Sequence, residues 1–438
     1  MTQHRNRNKS LGLPELVAIA LGGMVGGGIF TILGISVSMV GNLTPIAIAL
    51  GGAIAALAAY NYVKLGLYYK DEGATYSFFK KTYSSSHLSA SIIGWFILFG
   101  YISTLALYAY TFSSYAISST DFASNMMIRK LLAIGIISLF ALINIWSVNG
   151  MGKIEDIMVY TKLVLLAIIS FVLISNGDQT WSGFAHSLRQ DFKESSILSI
   201  LIVASITFVA YEGFQLVINA MNEMSNPDKN IPRAIFSAIG LAVLIYIVIA
   251  IGALFAIPKQ DLINNKEYAL AAGAGDIMGN LGRWIVIAGA ILATSSAISG
   301  TVFGASRQMA VVAKDGYLPS WLAVRNNTVP THAITAMAVF ACILILVGGL
   351  ELILEFGSIT FLLVSLLMAI ANFKMRDKTQ SSPIMVMASI LGLTVGGCLI
   401  LYYELQNKLH EMLFILGLYS ILSVGAYIYA RRNTAKVS

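Results

Sequence analysis

The residues with the least expected chemistry lie inside apolar runs. Between Leu16 and Met39 the chain reads Leu21-Gly22-Gly23-Met24-Val25-Gly26-Gly27-Gly28-Ile29-Phe30. Glycine costs a helix interior about 1 kcal/mol relative to alanine. Three glycines in a row also leave backbone N–H groups unscreened by side chains. Small residues do let membrane helices pack closely, but neighbours in sequence do not share a helix face. Broken backbone at membrane depth survives only when buried in protein or lining a wet cavity. Val25, Gly26, Gly27, Gly28 and Ile29 therefore read as a helix break. Its amides have the right sign to hold an anion such as a substrate carboxylate.

A second weak stretch is Ile206-Thr207-Phe208-Val209-Ala210-Tyr211-Glu212-Gly213-Phe214. An unwound segment frees carbonyl groups, and those of Phe208, Val209, Ala210 and Tyr211 suit an ammonium. Tyr211 is either pocket wall or packing. Glu212 is costly in a membrane, about 3 kcal/mol on insertion scales, and is a functional candidate for that reason. It could bind a cationic group, carry a proton, or be a structural carboxyl bonded to its own helix. Lys162, in Met158-Val159-Tyr160-Thr161-Lys162-Leu163, lies about 12 Å from the expected cytoplasmic end of its run at 1.5 Å per residue. That is far for snorkelling. Gly100, Ser103 and Thr104 are further candidates for a side-chain pocket.

The elements that must position these residues are membrane spans. Of 438 residues 57% are hydrophobic and 11% charged, against roughly 25% charged in a soluble domain. The apolar runs have helix length, not the ~10-residue alternation of a barrel. Twelve spans are expected near 14–39, 43–69, 89–118, 130–148, 154–175, 197–222, 232–256, 281–311, 332–349, 351–373, 382–403 and 409–430. The chain is read as one all-α integral membrane domain, 1–438. The first run is too long for a signal-peptide core and counts as a span.

The net charge of +7 sits mostly in alternate loops, at Lys70, Lys80, Lys81, Lys229, Arg233, Lys314, Arg325, Lys374, Arg376, Lys378, Arg431 and Arg432. The positive-inside rule then places both termini in the cytoplasm, with Arg129 and Lys130 dissenting. The charge marks a membrane protein in contact with lipid and calls for no nucleic-acid partner. Cys342 and Cys398 fall in apolar spans and suggest no disulfide. The five histidines lie in loops, at span ends or in the tail, so no metal-ligand cluster and no cofactor are expected.

The two weak stretches fall in spans one and six, five helices apart. Interrupted helices at matching positions of two halves point to a binding site between inverted repeats. The repeats would be spans one to five (about 14–175) and six to ten (about 197–373), with spans eleven and twelve (about 382–430) outside them.

The same residues carry a family resemblance. Met24-Val25-Gly26-Gly27-Gly28-Ile29-Phe30 resembles the first-span signature of the amino acid–polyamine–organocation superfamily. So do Phe208 to Phe214, then Asn222-Glu223-Met224-Ser225-Asn226-Pro227 and Ile231-Pro232-Arg233-Ala234-Ile235. Ser306-Arg307 followed by Ala313-Lys314-Asp315-Gly316-Tyr317-Leu318-Pro319 completes the pattern. The resemblance implies the leucine-transporter fold, with discontinuous helices one and six, and an amino acid permease. It implies an aromatic gate near Phe208, where this chain has Val209 beside it. In proton-coupled relatives a lysine like Lys162 stands where sodium-coupled ones hold sodium, against first-span carbonyls and span-eight hydroxyls. Thr294, Ser295 and Ser296 are those hydroxyls here.

The reading is a proton-coupled symporter that moves amino acids across the cell membrane by alternating access. Its rivals are a polyamine or organic-cation carrier, kept alive by Glu212, and a proton-independent exchanger. A membrane enzyme would need a nucleophile with a base or a metal site, and the spans show neither an acidic pair nor a central histidine. A transport-like sensor usually carries an added cytoplasmic domain, and the tail after span twelve is short. The oligomeric state is not legible.

Overall fold

The computed structural model describes residues 11–71, 73–146, 151–177, 179–221, 224–326 and 329–437, with the side chains of 151–157, 276–278 and 434–437 left aside. The basic N-terminal residues Arg5, Arg7 and Lys9, and Asn222 and Glu223 of the family motif, lie outside them. Among the described residues the architecture is all-helical, without a strand. Ten helical segments are long and apolar enough to cross a membrane, and two shorter apolar helices accompany them.

The first predicted span is two helices, α1 (Leu13–Met24) and α2 (Gly28–Val40), separated at Val25–Gly27. Val25 has φ −82° and ψ 69°, outside the helical region. A 3₁₀ turn, Gly41–Leu43, links α2 to α3 (Thr44–Tyr69), and Gly41 has φ +56°. Then follow α4 (Ala74–Thr82), α5 (His87–Ile117), α6 (Met126–Trp146) and α7 (Met151–Ser175). The second predicted break is also present. The helix α9 (Ile197–Ile206) passes into a 3₁₀ turn, Thr207–Tyr211, then extended Glu212 and Gly213 at φ +124°, before the short α10 (Leu216–Asn219).

The rest comprises α11 (Pro227–Ala256), α12 (Lys259–Asn264), α13 (Ala269–Lys314, interrupted at Gly279), α14 (Thr331–Val347), α15 (Leu350–Thr379), α16 (Pro383–Asn407) and α17 (Leu409–Val437). α5 packs against α13 and α15 at the centre, while α16 and α17 lie outside against α15, α9, α3 and α5. Outer helices turn large apolar side chains outward, as Trp146 and Phe171 do at 80% and 72% exposure. In water such a surface would be a liability; in lipid it is the solvated face.

The sequence reading missed α8 (Trp181–Glu194), a surface helix capped by the Thr180 hydroxyl, which accepts from the Gly183 amide. Trp181 and Phe184 both meet Phe255 edge-on. Asp191 of α8 accepts hydrogen bonds from the Asn42 amide (2.7 Å) and Asn42 Nδ2 (2.9 Å), tying α8 to the α2–α3 turn. The dissenting Arg129 is a buried ion-pair partner of Glu267 and no loop charge.

Candidate functional site

The two breaks abut. A Cβ placed on Gly213 would lie 2.6 Å from Gly23 C and 2.8 Å from Met24 N. Only glycine at φ +124° brings the second break this close to the first. The Tyr246 hydroxyl of α11 lies 2.8 Å from the Met24 carbonyl oxygen and 2.9 Å from that of Ala210, so one side chain serves both breaks.

A cavity of about 330 Å³ opens beside this junction. Gly22 and Gly23 of α1, Glu212 and Gly213, Tyr101 and Tyr108 of α5, Ser296 of α13 and Phe361 of α15 contribute to its wall. The Glu212 carboxylate is set by Gln215, whose Nε2 donates to Oε2 at 3.0 Å while its Oε1 accepts the Gly213 amide at 3.1 Å. Glu212 Oε1 is buried with no hydrogen-bond partner. An orphaned carboxylate oxygen on a cavity wall is an acceptor awaiting a donor.

Of the predicted residues, Thr104, Glu212 and Ser296 line the cavity. Gly26, Gly27 and Gly28 lie just behind it. Gly26 sits against Ala297 and the Tyr108 ring, Gly27 against Tyr108 and Thr111, and Gly28 against Ala210. The Gly26 amide bonds the Met24 carbonyl (2.9 Å), whereas the first-turn amides of α2 have no acceptor within that helix. Val25 and Ile29 are buried beside them. Phe208 and Val209 are buried away from the cavity, and Tyr211 points to α3, donating to the Ile48 carbonyl at 2.7 Å. Thr104 lines the cavity, Ser103 donates to the Ile353 carbonyl, and Gly100 packs on Phe361.

Lys162 is fully buried and donates to the Gly22 carbonyl at 2.9 Å, one turn before the first break. Ser296 Oγ is buried without a partner, Ser295 is buried, and Thr294 bonds its own helix at Ala290. The aromatic wall of Tyr101, Tyr108 and Phe361 was missed by sequence reasoning. The Tyr211-Glu212-Gly213 run held no signal for side chains supplied by α5 and α15.

A second cavity, about 770 Å³, shares Asn219, Phe303, Gly304 and Gln308 with the first and leads to Asp71, Lys80, Lys81 and Asp315. Asp315 accepts from Lys80 and from the Tyr76 hydroxyl, both at 2.7 Å. Asp71 is bound by Lys81, the Ser77 hydroxyl and the Gly73 amide. Burial pushes the Asp71 carboxyl up, but these three partners outweigh it and hold it below its usual range. At the other end α2 is sealed, for a Cβ on Gly34 would fall 2.4 Å from the Lys266 carbonyl oxygen.

The structure corrects one expectation. No metal-ligand cluster and no acidic pair are expected in the spans, yet Glu351 and Glu355 share the 351–373 span and Glu355, Glu404 and Glu411 converge. They come from three different helices, which a linear reading does not bring together.

Broken, abutting helices beside a buried cavity define a multi-pass membrane protein of the carrier type. Residues 11–426 match the family model described as amino acid permease, and the chain belongs to that family. It is 29% identical to the inner membrane transport protein YbaT of Escherichia coli over 438 residues, 99% of each chain. An uncharacterized protein of Methanocaldococcus jannaschii is 28% identical over 400 residues, covering 91% of this chain and 90% of its own. The human large neutral amino acids transporter small subunit 2 is 28% identical over 328 residues, 72% of this chain and 60% of its own. Membrane amino acid transport is what these relationships indicate.

Proposed function

We propose that this chain is a proton-coupled secondary transporter of amino acids, built from twelve spans with a 5+5 inverted repeat and working by alternating access. The carrying observation is the junction of the two breaks beside the cavity. The substrate carboxylate rests on amides of the Val25–Ile29 break, and Tyr108, which covers Gly26 and Gly27 and also lines the cavity, moves aside to admit it. Carbonyls of the Phe208–Tyr211 turn and the unsatisfied Glu212 oxygen receive the ammonium. Lys162, held at the Gly22 carbonyl, couples proton movement to the first break, with Ser295 and Ser296 near its path. With the basic loops in the cytoplasm, the cavities' shared lining residues support an inward-facing reading.

The test is uptake into proteoliposomes under an imposed proton gradient. Accumulation should follow the inward gradient, and Lys162→Met should abolish that dependence. Labelled substrate should be displaced by amino acids and not by their decarboxylated amines. Uptake that needs internal substrate and ignores the gradient would remove coupling and leave an exchanger. Displacement by the amines instead would favour the organic-cation reading that Glu212 supports.

A further inference from the structure

At the end of the bundle opposite Lys374 and Arg376, the helices α15, α16 and α17 bring four carboxylates and two lysines together. Glu351 is satisfied: Lys266 and Lys408 both bond it, Lys408 at 2.6 Å. Lys408 also bonds Glu355 Oε1 at 2.8 Å and approaches Glu411 at 4.0 Å. Four oxygens remain without any hydrogen-bond partner: Glu355 Oε2, both oxygens of Glu404, and Glu411 Oε2. Glu404 is completely buried and Glu355 is 2% exposed. Two buried carboxylates with unpaired oxygens side by side are strongly unfavourable unless something positive joins them.

From this geometry we infer that Glu355, Glu404 and Glu411 form a divalent cation site, with Ca²⁺ as the fitting ion. Four carboxylates and two ammonium groups leave a charge of −2, which one such ion cancels. One oxygen from each of the three glutamates lies within 4.8 Å of the others. Ligands on opposite sides of a calcium ion stand about 4.8 Å apart, since each bond is about 2.4 Å. Every donor is a hard carboxylate oxygen, which disfavours zinc and copper. The burial of Glu404 disfavours magnesium, which keeps most of its water. The ion would clamp α16 and α17, which stand outside the proposed repeats, to α15. None of these glutamates lines the cavity, so the site does not depend on the transport reading.

The test is equilibrium binding of ⁴⁵Ca²⁺ to the purified, chelator-treated full-length protein in nanodiscs, with a thermal melt in parallel. One saturable Ca²⁺ per chain is expected, with a rise in melting temperature that Mg²⁺ does not reproduce. Glu404→Gln and Glu355→Gln should each weaken binding about tenfold or more. Glu411→Gln, at the more exposed rim, serves as a variant that folds readily and should also weaken binding. Absence of saturable Ca²⁺ binding to the wild-type protein up to about 10 mM would overturn the site, since even weak extracellular calcium modules bind tighter than this. So would variants that bind like wild type. A protein stabilised by acid alone, with no Ca²⁺ effect, would show that the carboxyls share protons instead.

Discussion

Gly213→Ala attacks the junction on which the transport proposal rests. The φ of +124° is strained for any residue with a Cβ, at about 1–3 kcal/mol. The added methyl would fall 2.6 Å from Gly23 C and 2.8 Å from Met24 N, both backbone atoms that no rotamer change can move. Forcing a methyl into a filled space costs about 1–3 kcal/mol more. The total is about 2–6 kcal/mol, large enough to push the two breaks apart. Gly240→Ala is the control, because a Cβ there meets nothing within 4 Å in the middle of α11. That change should stabilise by about 0.5–1 kcal/mol. Thermal melts and uptake assays on the two variants should diverge: G213A melts lower and loses most uptake, whereas G240A melts at or above wild type and transports. Equal behaviour of the two variants would refute the idea that close backbone contact between the breaks holds the site.

Three further outcomes are expected. Tyr246→Phe removes the hydroxyl shared by the Met24 and Ala210 carbonyls; Met24 keeps the Gly26 amide, but the Ala210 carbonyl loses the hydroxyl in a dry interior, so stability should fall by about 1–3 kcal/mol in a denaturation assay. Glu212→Gln keeps an amide partner for Gln215 but removes the charge from the cavity wall; transport should drop well below wild type while the melting temperature holds or rises, since an unpaired buried acceptor is exchanged for a group that can donate. The third outcome concerns pH: Asp71 is held below its ordinary range in the folded protein, so the unfolded chain takes up its proton first as pH falls. Its contribution is full at neutral pH and is lost as pH drops through the depressed value; the melting difference between wild type and Asp71→Asn should therefore close only below the ordinary carboxylate range.

Both helix breaks were legible because glycine clusters and a membrane carboxylate conflict with local helix rules, and such conflicts mark functional sites. The cavity wall was not legible. α5 and α15 are apolar on nearly all sides, so no periodicity says that Tyr101, Tyr108 and Phe361 face inward. The sequence favours the triplet Gly26 to Gly28 as ligand backbone over a packing face, yet its close neighbours Tyr108, Ala297 and Ala210 give it a packing role as well. α8 could have been found, since Trp181, Phe184, Leu188 and Phe192 recur at helical spacing in an otherwise polar stretch. Nothing in the linear sequence joins Glu355, Glu404 and Glu411, because only tertiary packing gathers them.

The Tyr246 phenol has a single hydrogen and faces two oxygens, one from each interrupted helix. While both stay in reach, that hydrogen acts as a latch between the halves of the chain. Were one half to slide past the other, the latch would have to choose a side: an abandoned Met24 oxygen keeps the Gly26 amide, whereas an abandoned Ala210 oxygen waits for another donor or water. Any rearrangement that separates the two breaks would have to break one of the two bonds to this single phenol.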